Sequence, residues 1–322
     1  MPANQLLIIH QGALGDFVAA FPAITRLKKM FSRVDAFCQS ELGKLACKLN
    51  VVDSGFPIEA PYFASLFADA VDPRIKAILH AYQEILLFSF SEQLEQTIVK
   101  TIGKNVHRIP PRPDLEHRIH VCEHISSHLI KCGLLDRSNS ANNFISAPAG
   151  HDDKGNRQHD QSIILLHPGS GSRKKNWPIH NFLKIEDMLR SDNKKPEYIL
   201  GPAEASLTGQ LLKKQDVNRR VHEVYHLCEL VELLKAAEGF IGNDSGVSHL
   251  AAFLGLPTLV IFGPSDPLRW KPSGPAVRTV RPTLDCTPCF EMNAKNCEER
   301  KCLSQTSPED VINAFHMLTS SK

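Results

Sequence analysis

Short apolar runs alternate with amphipathic stretches along most of the chain. Leu6-Leu-Ile-Ile-His10 is apolar without alternation, the pattern of a strand buried on both faces of a parallel sheet. Between Phe17 and Met30 the residues Phe17, Ala20, Phe21, Ile24, Leu27 and Met30 recur at steps of three and four, which predicts a helix with one apolar face. Pro22 falls inside this pattern, where a proline is tolerable only near the first turn. Next come a strand over 33–38, a helix over 40–49, a strand at 85–88, a helix over 94–102, a short strand at 106–109 and a helix over 117–129. The pattern restarts with a buried strand from Ser162 into His167. A helix over 179–189, strands at 198–200 and 221–225, and a helix over 227–237 follow. Phe240-Ile241 ends a strand, 247–254 is helical up to Gly255, and Thr258–Phe262 is another buried run. Ser307 then caps a last helix whose first position is Pro308. Strands alternating with helices in this way predict an α/β protein with parallel sheets.

At 322 residues the chain is too long for one typical core and suits two domains. Residues 146–161 are polar, rich in Gly and charge, and aperiodic, the composition of a linker. The boundary falls near residue 155, giving domains 1–155 and 156–322, with the last helix allowed to pack back on the first. Hydrophobic residues at 42% and charged residues at 22% are ordinary for a globular protein, and a net charge of +2 argues neither for nor against a nucleic-acid partner. No apolar run reaches the roughly 18 residues of a membrane-spanning helix. The amino terminus enters a strand without a basic segment or cleavage site, and nine cysteines, an odd number, do not suggest a secreted disulfide scaffold. The expectation is a cytoplasmic protein.

Candidate chemistry collects where strands hand over to helices. Asn243-Asp-Ser-Gly246 joins a strand to a helix, placing Asp244, Ser245 and Gly246 at a strand's carboxyl end, where open sheets bind ligands and helix N–H groups attract anions. Gly169, Ser170, Gly171 and Ser172 precede Arg173, Lys174 and Lys175, a loop suited to phosphate or, alternatively, a solvated basic turn. Gly12 and Gly15 flank a turn ending at Asp16. That acid is either a helix N-cap or a general base pointing from a strand's carboxyl end. Glu204 and Tyr225 stand at loops from which they could serve a ribose and a base, or simply be surface residues. His117, His120, His124 and His128 share one face of the helix expected there, which reads as a polar face or a metal site. Cys286, Cys289, Cys297 and Cys302 form a four-thiol set that could be a structural clasp, by metal or by thiol, but not a catalytic one.

Together, Gly12-Ala-Leu-Gly-Asp16, His167-Pro-Gly-Ser170 with Lys175-Asn-Trp-Pro178, and Asn243-Asp-Ser-Gly-Val-Ser-His249 resemble glycosyltransferase family 9, the lipopolysaccharide heptosyltransferase family. The resemblance covers residues 5 to about 315. It implies a GT-B fold, two Rossmann-like domains with parallel sheets facing across a cleft, the second binding the nucleotide sugar and the first the acceptor. By resemblance Asp16 is the catalytic base and Lys175 holds the diphosphate. Ser170, Gly171, Asp244, Ser245, Gly246 and His249 surround the donor, Glu204 meets the ribose, and Tyr225 lies where a residue contacting adenine is expected. On the acceptor side the candidates are Gly12, Gly15, Arg112 and Arg118.

The implied activity is inverting, metal-independent transfer of a heptose or related sugar from an ADP-activated donor to a lipopolysaccharide core or similar glycan, without a cofactor. The lack of an Asp-x-Asp pair near these loops agrees with that chemistry. The implied partners are a nucleotide sugar, ADP-heptose in the best-known members, and a lipid-linked or oligosaccharide acceptor. Peripheral contact with the inner membrane face is left open, and no nucleic acid is implied. Two features depart from the family pattern. His10 stands where many members carry Lys or Arg, and the first half lacks a dense basic cluster, its cations (Arg74, Lys76, Arg108, Arg112, Arg118) being scattered. The alternatives are therefore a catalytically silent nucleotide-sugar-binding paralogue and a transferase using a different nucleotide sugar.

Overall fold

The computed structural model describes the chain except residues 1–3, 69, 105, 137–161, 213–218, 285, 287, 291–296, 298–300 and 321–322. The chain divides into two compact units, residues 1–114 with 121–143, and residues 115–120 with 144–322. The linker boundary expected near residue 155 lies outside the described residues.

In the first unit β1 (Gln5–His10), β2 (Arg33–Cys38), β3 (Ser54–Pro57), β4 (Glu84–Phe88) and β5 (Val106–Ile109) form a parallel sheet in the order β3-β2-β1-β4-β5. The helices are α1 (Leu14–Leu27), α2 (Ser40–Lys48), α3 (Pro61–Ala64), α4 (Pro73–His80), α5 (Glu92–Ile102) and α6 (Val121–Lys131). Leu6, Leu7, Ile8 and Ile9 are fully buried, as their unbroken apolar run requires of a central strand. The connections leave the adjacent β1 and β4 toward opposite edges, so the sheet has a switch point between them.

The second unit repeats the plan. Its strands are β6 (Ile163–His167), β7 (Lys195–Leu200), β8 (Arg220–Glu223), β9 (Gly239–Asn243), β10 (Thr258–Ile261) and β11 (Val277–Val280). They pair in parallel in the order β11-β10-β9-β6-β7-β8, with the switch point between β6 and β9. Its helices are α7 (Ile179–Ser191), α8 (Ala205–Leu212), α9 (Leu227–Ala236), α10 (Gly246–Phe253), α11 (Pro267–Trp270), α12 (Lys301–Ser304) and α13 (Pro308–Thr319). The last helix, which the sequence allowed to return to the first domain, packs on α7, β10 and β11. Val311, Ile312 and Phe315 join Trp177, Phe182 and Tyr198 in that core. Gly239 must lack a side chain there, because a Cβ would stand 2.5 Å from the Phe315 ring.

Three expectations are corrected. Helix α1 runs through Pro22 rather than beginning near it; burial of eight of its side chains outweighs the roughly 3 kcal/mol that an interior proline costs. Helix α6 starts at Val121, so His117 and His120 never share its face with His124 and His128. Arg118, expected on the acceptor side of the first domain, belongs to the second unit. Its Nε donates to Asp266 at 2.7 Å, and the His120 Nε2–H donates to the Lys271 carbonyl at 2.7 Å. No helix among the described residues is long and apolar enough to cross a membrane.

Candidate functional site

The loops that follow β6 and β9 flank the switch point of the second sheet, and one buried side chain joins them. Asn243, fully buried at the end of β9, accepts from the Trp177 N–H at 3.0 Å. Its amide donates to the carbonyls of Pro168 (2.8 Å) and Gly169 (3.3 Å). The 168–178 loop is thereby fastened to the strand that carries Asp244. Within that frame the Lys175 ammonium lies 3.0 Å from Asp244 Oδ2, both side chains being largely enclosed. Ser245 caps α10 by accepting from Ser248 N, and the Ser248 hydroxyl donates to the Asn243 carbonyl at 2.6 Å. The earlier N–H groups of this turn have no intrahelical carbonyl to meet and carry partial positive charge at the strand end, where the Lys175 charge is balanced by Asp244. His249 follows in α10; burial pushes its pKa down to about 4, against the pull of Asp244 and helped by His120 and Lys175. It is neutral at physiological pH.

Beside this centre is a cavity of about 480 Å³, with Ser170, Gly171, Asn176, Trp177 and Glu204 in its wall. Glu204 is nearly buried, and its Oε2 accepts from the Gly201 N–H at 3.0 Å. The carboxylate lies so close to Gly169 that a Cβ there would stand 2.2 Å from Oε1, so only glycine admits this approach. Ser170 Oγ donates to Asn176 Oδ1 at 2.5 Å, which steadies the near wall. Ser170, Gly171 and Glu204 are thus brought together in one cavity, and Lys175, Asp244, Ser245, Gly246 and His249 at the strand end next to it. Tyr225 joins neither group: it is 61% exposed beyond β8 with its hydroxyl on Glu223.

In the first unit, Gly12, Gly15 and Asp16 follow β1 at the corresponding switch point. Asp16 is not the N-cap of α1. Ala13 holds that position, and Asp16 is the third helical residue, its side chain 18% exposed. Gly12 is required, because a Cβ there would stand 2.7 Å from His10 Cε1 and 2.9 Å from Asp16 Cβ. His10 packs between Phe17 and Phe88, and burial pushes its pKa down to about 4. Its Nδ1 accepts from the Gly12 N–H at 3.2 Å, so the departure at this position is a neutral buttress of the turn. Arg112 Nη2 lies 3.8 Å from Asp16 Oδ2. The preceding Pro110 carbonyl accepts from His124 Nε2 at 2.8 Å, so this histidine holds backbone.

All four cysteines of the tail set are free thiols. Cys286 and Cys297 are exposed, Cys289 is half-buried and Cys302 buried. Burial, then the nearby Cys297, push the Cys289 and Cys302 thiols up. Among the described residues no group of three or more His, Cys, Asp or Glu side chains is placed to hold a metal. Asn243, Asn176 and Trp177 stand inside the motifs that carry the resemblance, but their type and spacing alone assign them no role. Nothing in the sequence pointed to Phe290, whose ring lies against the Lys175 ammonium, 5.1 Å from it.

The model of glycosyltransferase family 9 (heptosyltransferase) matches residues 135–299. Lipooligosaccharide heptosyltransferase 2 of Campylobacter jejuni subsp. jejuni serotype O:6 is 28% identical over 177 residues, 51% of this chain and 53% of that protein. The chain spans about half the length of the curated relatives it matches. Two solved structures share the fold over nearly the whole of both chains. The glycosyl transferase family 9 structure from Veillonella parvula has a TM-score of 0.78 at 18% identity, covering 100% of this chain and 99% of that one. ADP-heptose lps heptosyltransferase II of E. coli has 0.73 at 15%, covering 98% and 99%. Two parallel α/β units of this topology are the GT-B architecture that these structures display. With the family model matching half of its length, the chain belongs to glycosyltransferase family 9.

Proposed function

We propose that the protein is an inverting glycosyltransferase that moves a heptose or related sugar from an ADP-activated donor to a lipopolysaccharide-core type of acceptor. The observation that carries this reading is the Lys175–Asp244 pair at the start of α10, set on the β6/β9 switch point next to the Glu204 cavity. The nucleoside takes the cavity side, with the Glu204 carboxylate accepting from ribose hydroxyls. The diphosphate takes the strand end, where Lys175 and the first-turn N–H groups oppose its charge. That charge grows as the glycosidic bond breaks, so these groups bind the transition state more strongly than the ground state. Asp16 of the first unit accepts the proton of the attacking acceptor hydroxyl while the anomeric carbon acquires oxocarbenium character. The residues named supply base and counter-charge from side chains and backbone.

Asp16→Asn is the direct test. It keeps size and polarity but cannot take a proton. ADP binding by calorimetry should be unchanged, and transfer of heptose from ADP-heptose to deacylated lipooligosaccharide should fall at least a hundredfold, the usual worth of a general base being about 10²–10⁴. Transfer at the original rate would remove Asp16 from the chemistry. A wild-type protein that binds ADP but never turns over with any core acceptor would instead be a silent nucleotide-sugar binder. Preference for UDP or GDP over ADP would sink the heptose donor while leaving the transferase.

A further inference from the structure

Phe290 lies far from the donor loops in sequence but is built against them. The Cys289 and Phe290 N–H groups both donate to the Pro264 carbonyl, at 2.9 and 3.1 Å, pinning this turn to the corner that follows β10. From there the Phe290 ring meets the Lys175 ammonium, which lies 5.1 Å from the ring centroid and 3.0 Å from Asp244 Oδ2. The lysine stem has four rotatable bonds, and a single carboxylate contact leaves its head free to pivot. A ring face attracts a cation and excludes water from it. It does so without adding negative charge, whereas a second carboxylate at this place would hold the ammonium equally well but repel a diphosphate. An ammonium has three donors, and the ring needs none of them.

We propose that Phe290 is a positioning residue, which together with Asp244 aims the Lys175 ammonium at the diphosphate of the donor. The inference rests on the donor reading above and adds to it a residue from the carboxyl-terminal tail. Loss of the ring then costs affinity for the diphosphate and not for the nucleoside.

Calorimetry with ADP, AMP and adenosine, and with UDP and GDP alongside, separates the outcomes. For Phe290→Ala the ADP affinity should fall roughly tenfold, the scale of one partly desolvated cation–π contact. Adenosine should be unaffected, and AMP less affected than ADP. Phe290→Tyr should restore binding, and Phe290→Leu, which keeps bulk without the π face, should not. In a Lys175→Met background Phe290→Ala should have no further effect on ADP. Circular dichroism and the thermal midpoint identify a variant that has merely unfolded, in which case the Leu and Tyr variants carry the comparison. Equal losses for ADP and adenosine, a Leu variant as good as wild type, or an undiminished loss in the Lys175→Met background would each overturn the proposal. A wild-type protein that binds no nucleoside diphosphate removes the donor reading, and this inference with it; one that prefers UDP leaves the inference intact with UDP as the probe.

Discussion

Asn243 concentrates more of the candidate site's order than any charged residue in it. Its carboxamide is fully buried and makes three hydrogen bonds to backbone, one accepted and two donated, all to the 168–178 loop. Only an amide can serve here, since an oxygen must face the Trp177 N–H and a nitrogen the two carbonyls. Asn243→Ala should orphan a buried N–H and leave the two carbonyls unpaired, costing about 2–4 kcal/mol of stability. The Lys175–Asp244 pair should loosen too, because the loop carrying Lys175 is no longer held to β9. Asn243→Asp keeps the acceptor but sets an oxygen against the Pro168 and Gly169 carbonyls, so it should do no better. Urea unfolding of both variants, read beside ADP affinity, tests this. A variant with wild-type stability would show that the loop is held by its other contacts, such as the Trp177 indole N–H on the Thr306 carbonyl.

Among the elements, α10 shows most plainly how local chemistry makes an anion site. It is eight residues long and begins with Gly-Val-Ser, which has little helix preference, so its start depends on the cap. Ser245 Oγ accepts from Ser248 N at 3.3 Å, and the Ser248 hydroxyl returns to the Asn243 carbonyl. Ser245→Ala should therefore cost about 1 kcal/mol and fray the turn that presents N–H groups to a diphosphate. The checks are the thermal midpoint and the ADP-to-adenosine affinity ratio, both of which should fall; an unchanged ratio would show that the turn is held without its cap. This element was legible in advance because Asn243-Asp-Ser-Gly246 carries turn and cap signals between two buried apolar runs. β2 and β5 appear over the residues expected for the same reason. β3 is Ser-Gly-Phe-Pro at an edge, too short and too polar to show as a strand, and β11 is a four-residue edge strand as well. The histidine face dissolved because residues 115–120 are held by contacts within the second unit, and such long-range bonds leave no periodic trace. Tyr225 stands exposed beyond β8, since side-chain direction beyond a strand end is not written in the pattern. Phe290 was invisible because its meaning lies wholly in its contact with Lys175.

At the scale of the molecule, each unit carries a deeply buried histidine at or just beyond the carboxyl end of a central strand, His10 beyond the Leu6–Ile9 run and His249 in the turn of helix after β9. Burial holds both near pKa 4. A histidine in the unfolded chain titrates near 6.5, so between pH 6.5 and 4 the unfolded state binds more protons than the folded one. Stability then rises with pH across this window, and it is lost as the solution is acidified from 6.5 toward 4. A shift of this size corresponds to roughly 3 kcal/mol per histidine over the whole window. The carboxylates act lower down. In Asp266 burial alone would raise the pKa, but the Arg118 hydrogen bond, the Leu268 N–H and the charges of Arg118 and Arg281 hold it below its usual value. Its contribution is therefore present above the ordinary carboxylate pKa and lost only as pH falls beneath it. The two classes are separable by pH. His10→Asn keeps an acceptor for the Gly12 N–H and removes the titration but gives up ring packing against Phe17 and Phe88, so its urea midpoint at pH 7 should lie below that of wild type. Between pH 7 and 4.5 the first unit of this variant should lose less stability than the wild-type unit, by about 2 kcal/mol, while the second unit, still carrying His249, follows the wild-type curve. Probes placed separately in the two units read the difference. Parallel curves for variant and wild type in the first unit would mean that His10 takes up its proton without loss of structure, and that the turn bearing Gly12 and Asp16 tolerates a cation beneath it.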